Sequence, residues 1–144
     1  YNAHLSAYGG SDEIHSAQLN MLLQDMKAEY DKGNYVVCGG DFNDDFTGGS
    51  QLALNGRIDV DLNWAQPFPE ELLPDGLSRC IDYDGELIPS CRNCDIPYED
   101  GNFTIIVDGF IVSDNVEVVT LRNIDMGFEY SDHNPVVMKF ILKG

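Results

Sequence analysis

Basic residues are scarce in this chain. Eight Lys and Arg face 25 Asp and Glu across 144 residues, giving a formal net charge of −17 at pH 7. Nucleic-acid platforms neutralise phosphates with Lys and Arg, so duplex DNA or RNA is a partner that the charge balance does not favour. Most of the carboxylates read as solvated surface that keeps the chain soluble. No apolar run approaches the 18 or more residues of a membrane-spanning helix, so no membrane span is expected. No internal repeat or low-complexity segment is present. Cysteine is sparse, with Cys38, Cys80, Cys91 and Cys94 as the full set. Cys91-Arg92-Asn93-Cys94 has CxxC spacing, but no second CxxC or nearby His completes a zinc set. Free thiols, a disulfide and a structural zinc site all stay open for Cys80, Cys91 and Cys94, with free thiols favoured by spacing. Cys38, inside an apolar run, reads as a small core residue.

What is present fits a globular α/β domain. Hydrophobic residues make up 43% and aromatics 10% of the chain, well above the range of disordered sequences. A chain of this size buries roughly two thirds of its unfolded surface. Residues 11 to 32 have the spacing of an amphipathic helix, with Leu19, Leu22, Leu23, Met26 and Tyr30 on one face. Ser11 and Asp12 suit its start, and Lys32 followed by Gly33 suits its end. Tyr35 to Cys38 reads as a buried strand, and Ser50 to Asn55 as a short helix. Residues 63 to 102 hold five of the six prolines and three of the four cysteines. They read as a long, mostly irregular excursion. Three strand-like runs follow: Phe103 to Ser113, Val116 to Leu121 and Val136 to Ile141. The first and last are nearly continuous in apolar residues, which predicts burial on both faces.

Two short polar motifs sit against apolar runs. Gly39-Gly40-Asp41-Phe42-Asn43 follows Tyr35-Val36-Val37-Cys38, and Ser131-Asp132-His133-Asn134-Pro135 precedes Val136 to Leu142. Apolar strands hold such tips rigidly at a sheet rim, where carboxylates, an amide and an imidazole converge on a cation and a phosphate. Hard oxygen ligands suit Mg²⁺, which needs only one or two carboxylates and keeps several waters. Asp41 and Asp132 are the candidate metal ligands. His133 is the candidate general base, since imidazole titrates near neutrality but needs a partner to fix its tautomer. Asp108, inside Ile106-Val107-Asp108-Gly109-Phe110, is a carboxylate in an apolar run and demands a partner. Arg92 is a candidate phosphate ligand, with a solvated loop arginine as the equal alternative. Two calcium-loop patterns fail: Asp41-x-Asn43-x-Asp45 lacks the glycine at its sixth position and the acid at its twelfth, and Asp82-x-Asp84-x-Glu86 fails likewise.

Together with His4-Leu5, these motifs resemble the endonuclease/exonuclease/phosphatase family of metal-dependent phosphoesterases. The family's order is His-Leu, Gly-Asp-Phe-Asn, Asp before a strand, then Ser-Asp-His, and all four occur here between residues 2 and about 142. The resemblance implies half of a four-layer α/β sandwich, with a mixed, largely antiparallel sheet flanked by helices. It implies Mg²⁺ or Mn²⁺ as cofactor and a phosphate ester as substrate. It pairs Asp108 with His133 as catalytic residues and sends Asp132 to the metal. Asp41 and Asn43 would position the nucleophile and scissile phosphate, and His4 would contact the phosphate or assist the leaving group. His15 stands where many members carry Arg, a departure that puts the Arg's salt bridge in doubt.

The resemblance covers only the family's second half. The metal-binding Glu and the Asn of the first half have no counterpart here, and Tyr1 to Leu5 reads as the end of a strand that begins upstream. Residues 1–144 are therefore expected to be the C-terminal half of such a domain, weakly active or inactive alone and prone to self-association through an uncovered sheet face. The absence of a leader peptide has no weight on this reading, and localisation stays open with a marginal preference for the cytoplasm. The expected function is hydrolysis of a phosphomonoester or phosphodiester by an activated water. A DNA or RNA nuclease of the same family is the alternative within the enzyme class, and a non-catalytic interaction module keeping the fold is the alternative outside it.

Overall fold

The computed structural model describes residues 1–7, 12–58, 65–94, 97–99 and 101–144. The helix start expected at Ser11 lies outside the described residues. Chain order is β1 (Asn2–His4), α1 (Asp12–Asp31), β2 (Val37–Asp41), α2 (Ser50–Asn55), β3 (Leu77–Arg79), β4 (Cys91–Arg92), β5 (Thr104–Ile105), β6 (Asp108–Ser113), β7 (Val116–Asn123) and β8 (Val136–Leu142). The result is a mixed α/β fold with two α-helices and largely antiparallel sheets among the described residues.

The central sheet has the order β1-β2-β6-β3. β1 runs parallel to β2, and both other pairings are antiparallel. A parallel pair needs a crossover, and α1 supplies it. His15, Leu19, Leu23 and Met26 form one buried stripe on α1 at spacings of three and four residues. Leu19, Leu23 and Met26 pack with Cys38 of β2 and Ile111 of β6. Gly33, at φ +85°, ends the helix by donating its N–H to the Tyr30 carbonyl at 2.8 Å.

Side chains alternate across a strand, so Phe110 and Val112 face away from α1. They pack with Leu121, Val136 and Met138 of the β7–β8 hairpin. The sheet is thus covered by α1 on one side and by the hairpin on the other. Phe42, Phe46 and Phe68 form an aromatic cluster in the first core, with ring centroids 4.8 to 6.2 Å apart.

Two expectations need correction, and a third gains detail. The run Phe103 to Ser113 is two strands, β5 and β6, because side-chain hydroxyls intercept the backbone between them. Ser50 Oγ accepts the Ile106 N–H and Ser90 Oγ accepts the Val107 N–H, each at 3.0 Å. The excursion from 63 to 102 contributes β3 to the central sheet, at a stretch too short to show alternation. Arg79 fixes it there, its guanidinium 4.7 Å from the Phe68 ring centroid and paired with Glu70. Finally, β8 is not buried on both faces: Phe140, Ile141 and Leu142 are 43%, 56% and 50% exposed. It pairs with β7 alone, so the outer part of its apolar run has no cover among the described residues.

Candidate active site

The sheet ladder assembles the site. His4, Asp41 and Asp108 end three adjacent strands and share one register line, with His4 opposite Asp41 and Asp41 opposite Asp108. Two glycines allow the approach. A Cβ on Gly40, whose φ is +149°, would lie 1.9 Å from the Ala3 carbonyl oxygen. One on Gly109 would lie 2.3 Å from the Phe46 ring.

His133 arrives from the other end of the chain through an antiparallel bridge to Cys91. Arg92 N–H donates to the Asp132 carbonyl at 3.0 Å, and Asn134 N–H donates to the Ser90 carbonyl at 2.8 Å. His133 Nδ1 then lies 2.8 Å from Asp108 Oδ2, and its Nε2 lies 3.9 Å from Asp41 Oδ2. His4 Nε2 lies 3.5 Å from the same Asp41 oxygen. Asn43 is held at φ +53°, with its Nδ2 donating to the Leu5 carbonyl at 2.7 Å and its N–H to Asp41 Oδ1 at 2.8 Å.

The structure therefore brings together His4, Asp41, Asn43, Asp108 and His133. Asp132 contributes a carbonyl to the β4 segment, and its carboxylate is not among the three groups that converge. Those are Asp41, Asp108 and His133, whose ligand atoms lie within 4.8 Å of one another. Arg92 is half-buried, with its guanidinium 5.8 Å from the Tyr98 ring centroid and donating to the Asn93 carbonyl at 2.9 Å. All four cysteines are free, Cys94 exposed and the others buried.

Two supporting residues carry no sequence signature. Ser90 Oγ accepts the N–H groups of both Val107 and Asp108 at 3.0 Å, which fixes the backbone at Asp108. Cys91, the backbone bridge partner of His133, donates its thiol to the Arg92 carbonyl at 3.4 Å. The sequence offered only a Pro-Ser-Cys stretch in a loop, where a buried hydroxyl and a solvated one look alike.

The electrostatics follow from two carboxylates around one ring. The hydrogen bond to Asp108, reinforced by Cys91, pushes His133 up from 6.5 to about 11. Burial, and then the like charge of Asp108, raises the Asp41 carboxyl above its usual range. A ring held protonated in the folded state stabilises it fully below about 6.5, and that contribution is lost as pH rises through about 11. Asp108→Asn should therefore drop the His133 titration toward 6.5, the ordinary histidine value. A proton NMR titration of the ring reads this directly, and an unmoved midpoint would disprove Asp108 as the cause.

No family model and no curated protein matches the chain. Among solved structures it is similar to truncated Caenorhabditis elegans TDP2, with a TM-score of 0.58 and 18% identity over 97% of this chain. The likeness is one of fold. The chain spans 52% of the length of the structure it matches.

Proposed function

We propose that this chain carries the catalytic rim of a metal-dependent phosphoesterase, hydrolysing a phosphomonoester or phosphodiester by in-line attack of water. The observation that supports this reading best is the convergence of Asp41, Asp108 and His133 within 4.8 Å. Two carboxylates and an imidazole on a half-buried rim fit a hard divalent cation, Mg²⁺ or Mn²⁺. Asp41 is the first proposed ligand, and Asp132, whose carboxylate lies outside the converging group, is the second on the family resemblance alone. When bound, the ion would screen the phosphate charge, stabilise the charge that develops in the transition state, and ease loss of the His133 proton.

The remaining work falls to the chain's own side chains. Asp108 accepts from His133 Nδ1 and fixes the tautomer, leaving Nε2 to take the proton of the attacking water. His4, exposed beside Asp41, faces the phosphate or the leaving group. The Asn43 amide is anchored through Nδ2, which leaves its oxygen to orient water. Arg92, whose N–H binds the Asp132 carbonyl, is proposed to reach the substrate. The net charge of −17 favours a small phosphorylated molecule over duplex DNA.

The test is hydrolysis of phosphomonoester, phosphodiester and plasmid-DNA panels, with and without Mg²⁺ or Mn²⁺, by protein that also carries the first half of the fold, because residues 1–144 alone are expected to turn over weakly or not at all. Turnover should vanish on chelation and return with metal. It should also rise with pH through neutrality, because the base form of His133 lies on the alkaline side of about 11 in the free site. Cleavage confined to plasmid DNA would turn the reading to a nuclease. Failure of Mn²⁺ to broaden Asp41 and His133 resonances, together with no turnover, would leave the interaction module.

A further inference from the structure

His15 is fully buried on α1, and so is Asp44, the residue after Asn43. His15 Nδ1 lies 2.7 Å from the Ser6 carbonyl oxygen, which offers only lone pairs, so Nδ1 carries a hydrogen. His15 Nε2 lies 3.1 Å from Asp44 Oδ2, another acceptor, so a proton must lie between these two atoms as well. Asp44 Oδ1 has no hydrogen-bond partner among the described residues. A carboxylate taken wholly out of water needs compensation, and here it comes through the one oxygen that His15 reaches.

The contacts on either side of the pair lead to the site. Leu5 donates its N–H to the Asp41 carbonyl at 3.0 Å and accepts Asn43 Nδ2 at 2.7 Å. Ser6 donates its N–H to Gln18 Oε1 of α1 at 2.8 Å. One face of α1 thus grips the strand end that carries His4 and, through Asp44, the turn that carries Asp41 and Asn43. Asn43 sits at φ +53°, a conformation most residues adopt only when the surroundings impose it.

We propose that His15 and Asp44 form a buried imidazolium–carboxylate clamp, a positioning pair that holds the His4 strand end and the Asp41–Asn43 turn in mutual register. The clamp rests on the reading of Asp41 and Asn43 as site residues. It assigns a task to the histidine that occupies the helix position where the family pattern has Arg: both side chains donate from two nitrogens at once, and an imidazolium is the smaller of the two.

The test has two independent arms. In the wild-type chain, long-range nitrogen–proton NMR should show both His15 ring nitrogens protonated. In folded His15→Ala, the Asn43 side-chain amide should move, and Mn²⁺ affinity should fall about 10- to 100-fold, as for other residues that orient metal ligands. His15→Gln combined with Asp44→Asn replaces the charged pair by a neutral hydrogen-bonded one. It should restore affinity to within about threefold of wild type, whereas His15→Gln alone, which strands the carboxylate, should not. An Nε2 without a proton, or a His15→Ala variant with the Asn43 amide unmoved, would overturn the clamp. If His15→Ala fails to fold, the same amide is read in His15→Gln and in the double variant. If the wild-type chain binds no Mn²⁺, the phosphoesterase reading falls, while the ring and amide signals still decide the clamp.

Discussion

His133→Ala should lower turnover of the best phosphate ester by about 100- to 10,000-fold, with KM changed little. The reasoning is geometric. Nδ1 is committed to Asp108 at 2.8 Å, and Nε2 points toward the Asp41 carboxylate at 3.9 Å, so Nε2 is the end of the ring that faces the candidate site. Alanine removes the proton acceptor and leaves Asp41 and Asp108 facing each other across the gap. Those two carboxylates repel, so the variant should hold a divalent cation at least as tightly as wild type. Weak turnover with intact metal binding is therefore the expected signature. A variant that keeps full activity would remove His133 from the chemistry.

Gly40→Ala is the second large effect, and it acts through the backbone. The added Cβ would meet the Ala3 carbonyl oxygen at 1.9 Å and the Ala3 carbon at 2.8 Å. Main-chain atoms cannot swing aside as a side-chain tip does, so β1 has to leave β2. At φ +149° the alanine is also strained in its own right. Together these should cost about 3 kcal/mol. For a domain of this size that is a fall in melting temperature of roughly 10 °C. The His4 ring should shift away from Asp41, with Leu5 left as the bond between the strand end and the Asp41 carbonyl. Thermal unfolding followed by circular dichroism checks the first claim, and the His4 resonance checks the second. A melting temperature within about 2 °C of wild type would show that the sheet relaxes around the methyl group.

The candidate site was legible in the sequence where polar side chains lie next to a strand. Asp41, Asn43 and His133 stand at the tips of apolar runs, and Asp108 stands inside one, so residue type and neighbours sufficed. What joins them was not legible, because pairing is non-local. Nothing local to Asp41 or Asp108 states that they face each other across β2 and β6. Nothing in Cys91 states that it bridges to His133. β3 was hidden because three residues are too few to show a period, and Leu77-Ser78-Arg79 reads as loop until Arg79 meets two rings. The continuous apolar run of β8 has the pattern of a strand covered on both sides, yet cover depends on what packs against it. His15 had a visible oddity, a histidine in line with Leu19, Leu23 and Met26, but its partner Asp44 lies 29 residues away.

The register line through His4, Asp41 and Asp108 binds chemistry to folding. Each of the three is fixed by the same hydrogen-bond ladder that holds the sheet, so none can drift while the others stay. Fraying of β1 would strip His4 from the rank, and separation of β2 from β6 would dissolve it altogether. On the phosphoesterase reading proposed above, turnover should accordingly vanish in one step with the loss of slow-exchanging amides, and half-melted forms of the protein should be catalytically silent.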